Sequence, residues 1–374
     1  MPREQHRWQP TCPPPTGLVR PVRARPRDPD GPSRGAAGGP DWRSTSHGFY
    51  VPSWVDASVP EQRILEQSVR LPAGGAVTGW AGCRLWGAGF FDGLEPDGRT
   101  PIPVPLAVGR RHVRGDGSVA VWRDRIDPTE VVTRHGVPCA SELRSLFDAV
   151  RRAGDRREAV VDIDMMAAAE LVSIRRLDGY RATRAGWLGA PQVDWALRLA
   201  SEHSRSPNET RMRLIWVLDA SLPTPLVNRP VFDLAGRLLG IADLLDVEAG
   251  VVGEFDGADH RLARRHSADL AREDRLRRHG LELFRISGPD LADVDRVVAR
   301  MLATRRRALW EPPGARRWTV AAPPSWEDPL SLDEILDRND LMREIHLAEQ
   351  EAQAEERVRW SRSASRHAGG ACGS

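Results

Sequence analysis

Apolar positions along the 374-residue chain change period several times, and each change marks an element. The clearest pattern runs from 206 to about 303. Ser206-Pro207-Asn208-Glu209 is a helix start, with serine as N-cap, proline at the first helical position and glutamate three residues on. Leu214, Ile215 and Leu218 continue an apolar stripe, and Pro223 and Pro225 end it. Three runs of strand character follow, at 226–232, 238–245 and 250–255, the first two separated by a turn over 233–236. A helix is predicted over 267–279 with Gly280 at its end, then a strand over 281–286 and a helix over about 291–305. The predicted order is α-β-β-β-α-β-α.

Upstream, order is predicted to begin at Gly48-Phe49-Tyr50-Val51. A helix is expected over 61–68, and a small-residue helix leads from 76–81 to Leu85-Trp86-Gly87. Strands are expected over 104–108 and 119–122, with a turn over 114–117 before the second. From Ser141 the period becomes helical, through Leu143, Leu146, Phe147 and Val150, with further helices over 157–169 and 195–202. Residues 1–46 are rich in Pro, Gly and Arg and carry too few apolar residues to offset their ordering entropy, so disorder is expected there. Pro312, Pro313, Pro323 and Pro324 mark a linker, 332–356 reads as an isolated polar helix, and the tail from 361 is of low complexity. The fold class expected is α/β, with an α+β N-terminal part. The segments are 1–46, 47–204, 205–305 and 306–374.

Composition narrows the chemistry. The chain contains no lysine, so all 54 basic residues are arginine, set against 52 acidic ones for a net charge of +2. Lysine nucleophiles, Schiff bases and the Walker phosphate loop are thereby excluded. A net charge so small means that any nucleic-acid surface must be local. No run of 18 apolar residues occurs, so no membrane span is expected. The N-terminus lacks the apolar core of a secretory signal, which points to the cytoplasm. Cys12, Cys83, Cys139 and Cys372 have no metal-ligand spacing, and Cys83 and Cys139 read as small core residues.

Asp243 closes one apolar strand and Glu254 lies on the next, a separation that suits adjacent antiparallel strands. Directly opposed side chains there sit about 4.5–5.5 Å apart. Two carboxylates so close resist joint ionisation unless a cation lies between them. An unpaired charge inside an apolar strand is costly, which points to magnesium held by Asp243 and Glu254. Asp256, two residues on, shares a face with Glu254, and Gly257 then permits a sharp turn toward His260, a group able to orient water or protonate a leaving oxygen. Arg261, Arg264, Arg265 and Arg272 follow as a basic run able to grip phosphates.

This stretch, from 206 to about 291, resembles the actinobacterial restriction-endonuclease-like domain related to very-short-patch-repair nucleases. The resemblance rests on Ser206, Pro207 and Glu209; Asp243; Glu254, Asp256, Gly257 and His260; Asp269, Arg272 and Leu276; and Arg285. It covers about a quarter of the chain and implies a mixed sheet flanked by helices, with the Phe255 carbonyl as a further metal ligand. Gly48 to Val51, the Gly-Trp-Ala and Leu-Trp-Gly segments, Gly136-Val137 and the run from Leu143 to Asp148 resemble the body of AbiEi-like antitoxins. Two departures stand out. Asp256 occupies the position where that nuclease core carries lysine, and no winged-helix pattern precedes Gly48.

Simpler readings stand beside these. Glu209 fits a capping box without chemistry. Asp256 is equally able to pair with an arginine of the next helix, and His260 to be a loop histidine. Arg272 has Asp269 and Glu273 as helix neighbours, and Asp162 and Asp164 read as a surface pair. Arg144 and Asp148 read as a local ion pair within a packed helix. Two functions follow. One is a magnesium-dependent endonuclease hydrolysing DNA, with Asp243, Glu254, Asp256, His260 and Glu209 as site residues. The other is a non-catalytic, antitoxin-like regulator that binds DNA or a toxin-like protein on a degenerate nuclease fold.

Overall fold

Three short strands open the chain. They are β1 (Val22–Arg23), β2 (Trp42–Ser46) and β3 (Phe49–Pro52), an antiparallel sheet ordered β1-β3-β2. The structure, a computed structural model, describes residues 9–25, 27–95, 97–256 and 263–368. Residues 1–46, expected to lack order, are thus structured over their described part. The physical reason lies outside the segment. Gln62 donates to the Val19 carbonyl and accepts from its N–H, both at 2.9 Å, and the Cys12 N–H donates to the Gly87 carbonyl at 2.8 Å. Composition weighs only the apolar surface a segment brings itself, and here the body supplies the partners.

The next part alternates short helices and strands: α1 (Pro60–Ser68), β4 (Ala76–Val77), α2 (Gly79–Leu85), β5 (Val104–Ala107), β6 (Val119–Trp122), β7 (Val131–Arg134) and β8 (Val137–Ala140). The five strands form a mixed sheet ordered β6-β5-β4-β8-β7. β5 and β6 run parallel, so the turn over 114–117 does not join them as a hairpin. Cys83 and Cys139 are buried, as core residues should be. Four helices follow: α3 (Glu142–Arg152), α4 (Arg156–Ala168), α5 (Ile174–Ala182) and α6 (Ala190–Leu197). Ser141, Asp155 and Ser173 cap the first three with side-chain bonds to backbone N–H groups. The last helix lies earlier than the predicted 195–202, because Gly189, at φ +83°, and Pro191 provide its start. Leu146, Phe147, Val160, Ile163 and Leu177 form the core of this layer. Arg144 and Asp148 pair at 2.8 Å inside it, as read from the sequence.

α7 (Pro207–Leu214) begins at the Ser206 cap and passes into a π-helical turn, Ile215–Asp219. Then come β9 (Leu226–Asp233), β10 (Leu238–Asp246), β11 (Val251–Asp256), α8 (Ala263–Arg278), β12 (Glu282–Ser287) and α9 (Val294–Arg307), in the predicted order. β9, β10 and β11 are an antiparallel meander, β12 returns parallel to β11 through α8, and β13 (Trp318–Thr319) adds an edge beside β9. Both faces of this mixed sheet are covered. Met212, Trp216, Leu244 and Met301 pack on one side, and Val231, Leu245, Val252 and Leu276 on the other. A two-sided core explains why its strands read as nearly continuous apolar runs.

Residues 1–328 make one unit and 329–374 a second. The second contains α10 (Leu332–Ala368), longer than the predicted 332–356 and started by a Ser331–Glu334 capping box. Among the described residues, no helix is long and apolar enough to cross a membrane.

Candidate functional site

The turn between β10 and β11 sets the site. Asp246 accepts backbone N–H bonds from Glu248 and Ala249 at 3.0 and 3.1 Å, and Gly250 takes the left-handed conformation at φ +75°. The register that follows places Leu244 opposite Gly253. Asp243 and Glu254 are the next residues on the two strands, just past the last paired positions. Here a side chain replaces the ladder, since the Phe255 N–H donates to Asp243 Oδ2 at 2.8 Å.

Asp243 is half-buried, and its carboxyl is pushed up to about 7. Burial is the main cause and the negative charge of Glu209 the next; Glu254 adds to them, while the Phe255 N–H and Arg272 oppose. The structure thus brings Glu209, Asp243 and Glu254 into one locality. Glu209 also performs its capping role in full. Its carboxylate accepts from the Ser206 hydroxyl and the Arg205 N–H at 2.9 Å, and from Asn228 Nδ2 at 2.7 Å. The capping reading of this residue is therefore borne out.

Glu254 departs from expectation. It is buried, but it is not an unpaired charge. Arg272 donates to Oε1, and Arg285 lies 3.3 Å from Oε2 while bridging to Glu273 at 3.0 Å. Arg272 was expected to pair along its own helix or to hold nucleic acid. Instead it reaches across to β10 and β11, with its second Nη on the Ile241 carbonyl at 2.7 Å. Gly240 leaves room for it, since a Cβ there would lie 3.2 Å from Arg272 Cδ and the side chain would have to shift by a few tenths of an ångström. Asp256 closes β11 opposite Ser287, with no ion pair to a described residue. His260 and Arg261 lie outside the described residues, as do the side chains of Arg264 and Arg265. Among the described residues, no three side chains of His, Cys, Asp or Glu gather as a metal-type group.

A cavity of about 1150 Å³ adjoins this cluster. Glu209 and Phe255 line it from the C-terminal sheet side, with Trp80, Phe91, Trp122 and Asp162 among its other walls. Asp162 and Asp164 are not the surface pair that was expected. Asp164 is fully buried, accepting from the Ser201 N–H and the Thr210 hydroxyl at 2.7 Å and from Arg213 at 2.6 Å, which ties α4 to α7. Asp162 is half-buried against the cavity, and burial, reinforced by Glu158 and partly offset by Arg211, pushes its carboxyl up to about 8. The signal was present in the sequence: Val160, Val161, Ile163, Met165 and Met166 surround the pair, and a helix apolar on all sides is buried on all sides.

Compared with known proteins, the chain matches no family model, no curated protein and no solved structure.

Proposed function

We propose that the unit from α7 to α9 is restriction-endonuclease-like and that the chain hydrolyses DNA phosphodiester bonds with the help of a divalent cation. The observation that supports this reading is that Asp243 and Glu254 directly follow the last paired residues of two antiparallel strands, with the charges of Glu209 and Glu254 both acting on Asp243. The donor chemistry suits a hard cation. Magnesium takes one or two carboxylates and fills the rest of its shell with water and phosphate, so a third side chain is not required. Asp243 and Glu209 would hold the ion, and Glu254 would join them on release from Arg272. A divalent cation supplies charge neutralisation at the phosphate and lowers the pKa of water.

The chain's own groups do the positioning. The Phe255 N–H fixes the orientation of the Asp243 carboxyl. No lysine is present to stand beside the scissile phosphate, and arginine remains protonated and cannot serve as base. This reading places the chain in the cytoplasm with its substrate.

A second reading has its own observation. Both oxygens of Glu254 face guanidinium groups, the arrangement of a site that binds rather than cleaves. In that case the chain is a non-catalytic binder of DNA or of a toxin-like protein. Incubation of supercoiled plasmid with magnesium separates the two. Nicking by the wild type that is lost in Asp243→Ala supports hydrolysis. No nicking, or equal nicking by both proteins, contradicts it, and DNA binding that persists in chelator then favours the second reading.

A further inference from the structure

One strained residue stands between the carboxylates. Five non-glycine residues among those described take a positive φ, and Asn228, at +47°, is the one inside a strand. Strand backbone has negative φ. The left-handed region costs free energy for any residue with a Cβ, least for asparagine and aspartate, whereas glycine enters it freely. Glycine would therefore serve the backbone better. A side chain is kept at 228 nonetheless, and its contacts give the reason.

The ladder between β9 and β10 pairs Val227 with Leu244 and Arg229 with Ala242, so Asn228 and Asp243 occupy the single step between those pairs. The Asn228 amide has two hydrogens and two acceptors, Glu209 Oε2 at 2.7 Å and the His203 carbonyl at 2.8 Å. The His203 bond fixes the plane of the amide, and the Glu209 bond reaches a carboxylate on another element. The other donors to that carboxylate among the described residues, the Ser206 hydroxyl and the Arg205 N–H, belong to its own helix start. They hold it to α7 alone. The Asn228 bond ties it to the sheet that carries Asp243, and the two carboxylates are close enough for the charge of Glu209 to act on Asp243.

We propose that Asn228 is a positioning residue that holds the Glu209 carboxylate beside Asp243, so that the two ligate one divalent cation together. The proposal rests on the phosphodiester reading above. An outer partner that orients a ligating side chain contributes about ten- to a hundredfold to metal affinity. Manganese is titrated calorimetrically into the full-length protein with nucleic acid absent. Asn228→Gly keeps the left-handed backbone, relieves its strain and removes the amide, while Ser206 and Arg205 remain on Glu209. It is expected to bind manganese at least about tenfold more weakly than the wild type.

A double-mutant cycle separates this role from a general support of the fold. Glu209→Gln is itself expected to bind weakly, and adding Asn228→Gly to it is expected to cost nothing further, because Asn228 acts through Glu209. Where Glu209→Gln binds too weakly to complete the cycle, denaturation in chelator takes its place: lowered affinity of Asn228→Gly with an unchanged midpoint supports the proposal, and lowered affinity with a lowered midpoint overturns it. Equal affinity of Asn228→Gly and wild type overturns it, as does an effect of Asn228→Gly that is undiminished beside Glu209→Gln. A wild type without a saturable site overturns this proposal and the phosphodiester reading together. A site that Asp243→Ala abolishes and Asn228→Gly leaves intact overturns this proposal alone.

Discussion

Asp162→Asn replaces a half-buried acid with an amide of the same shape, and its effect on stability must depend on pH in a definite direction. Below about pH 4 the carboxyl is protonated in both folded and unfolded chains, so the two proteins differ little. Above the unfolded value of 3.8 the unfolded chain releases this proton while the folded chain keeps it up to about 8. The wild type therefore loses stability through that window, whereas the amide of the Asp162→Asn protein does not titrate. At pH 7 the gap between the ordinary and raised values is about 3 pH units, or at most about 4 kcal/mol in favour of Asp162→Asn. Chemical denaturation of both proteins from about pH 4.5 to about pH 8.5 reads it directly. The gap should widen steadily as pH rises and level off near pH 8. A constant gap, or one that narrows, refutes the assignment of Asp162 as an acid held neutral by burial.

Two other substitutions probe the frame around the site. Asp148 is fully buried between Arg144 and Arg151, 2.8 and 2.7 Å from their Nε atoms; Asp148→Ala removes that shared partner while Arg151 keeps Asp124 at 2.5 Å and Arg144 keeps Glu130 at 3.5 Å, so a loss of about 3 kcal/mol is expected in a denaturation midpoint series. Gly253→Ala would place a Cβ 2.4 Å from the Phe284 ring, one residue from Glu254; a loss of about 1–3 kcal/mol is expected from forced repacking, and an unchanged melting temperature would show that the ring moves freely.

Local signals carried the C-terminal unit. Ser206, Pro207 and Glu209 mark a helix start by themselves, and strands buried on both faces announce themselves as apolar runs. The antiparallel pairing of β10 with β11, the strands of Asp243 and Glu254, followed from turn length alone. Long-range partners left no such trace. The tether of the N-terminal segment depends on Gln62, far along the chain, and Arg272 grips Glu254 from a helix 18 residues on. α5 was missed because Leu177 is its one buried residue, too little to draw a stripe. β7 and β8, four residues each, are too short to show a period. Asp162 was misplaced because the spacing of two acids was weighed without the apolar residues on every side of them.

The central claim is that Asp243 and its neighbouring carboxylates share a doubly charged ion. Calorimetric titration of manganese into the wild-type protein and into Asp243→Ala tests it most directly, with nucleic acid absent. One saturable site per chain in the wild type, lost in Asp243→Ala, is the predicted result. No saturable heat in the wild type, or the same isotherm for both proteins, would contradict it.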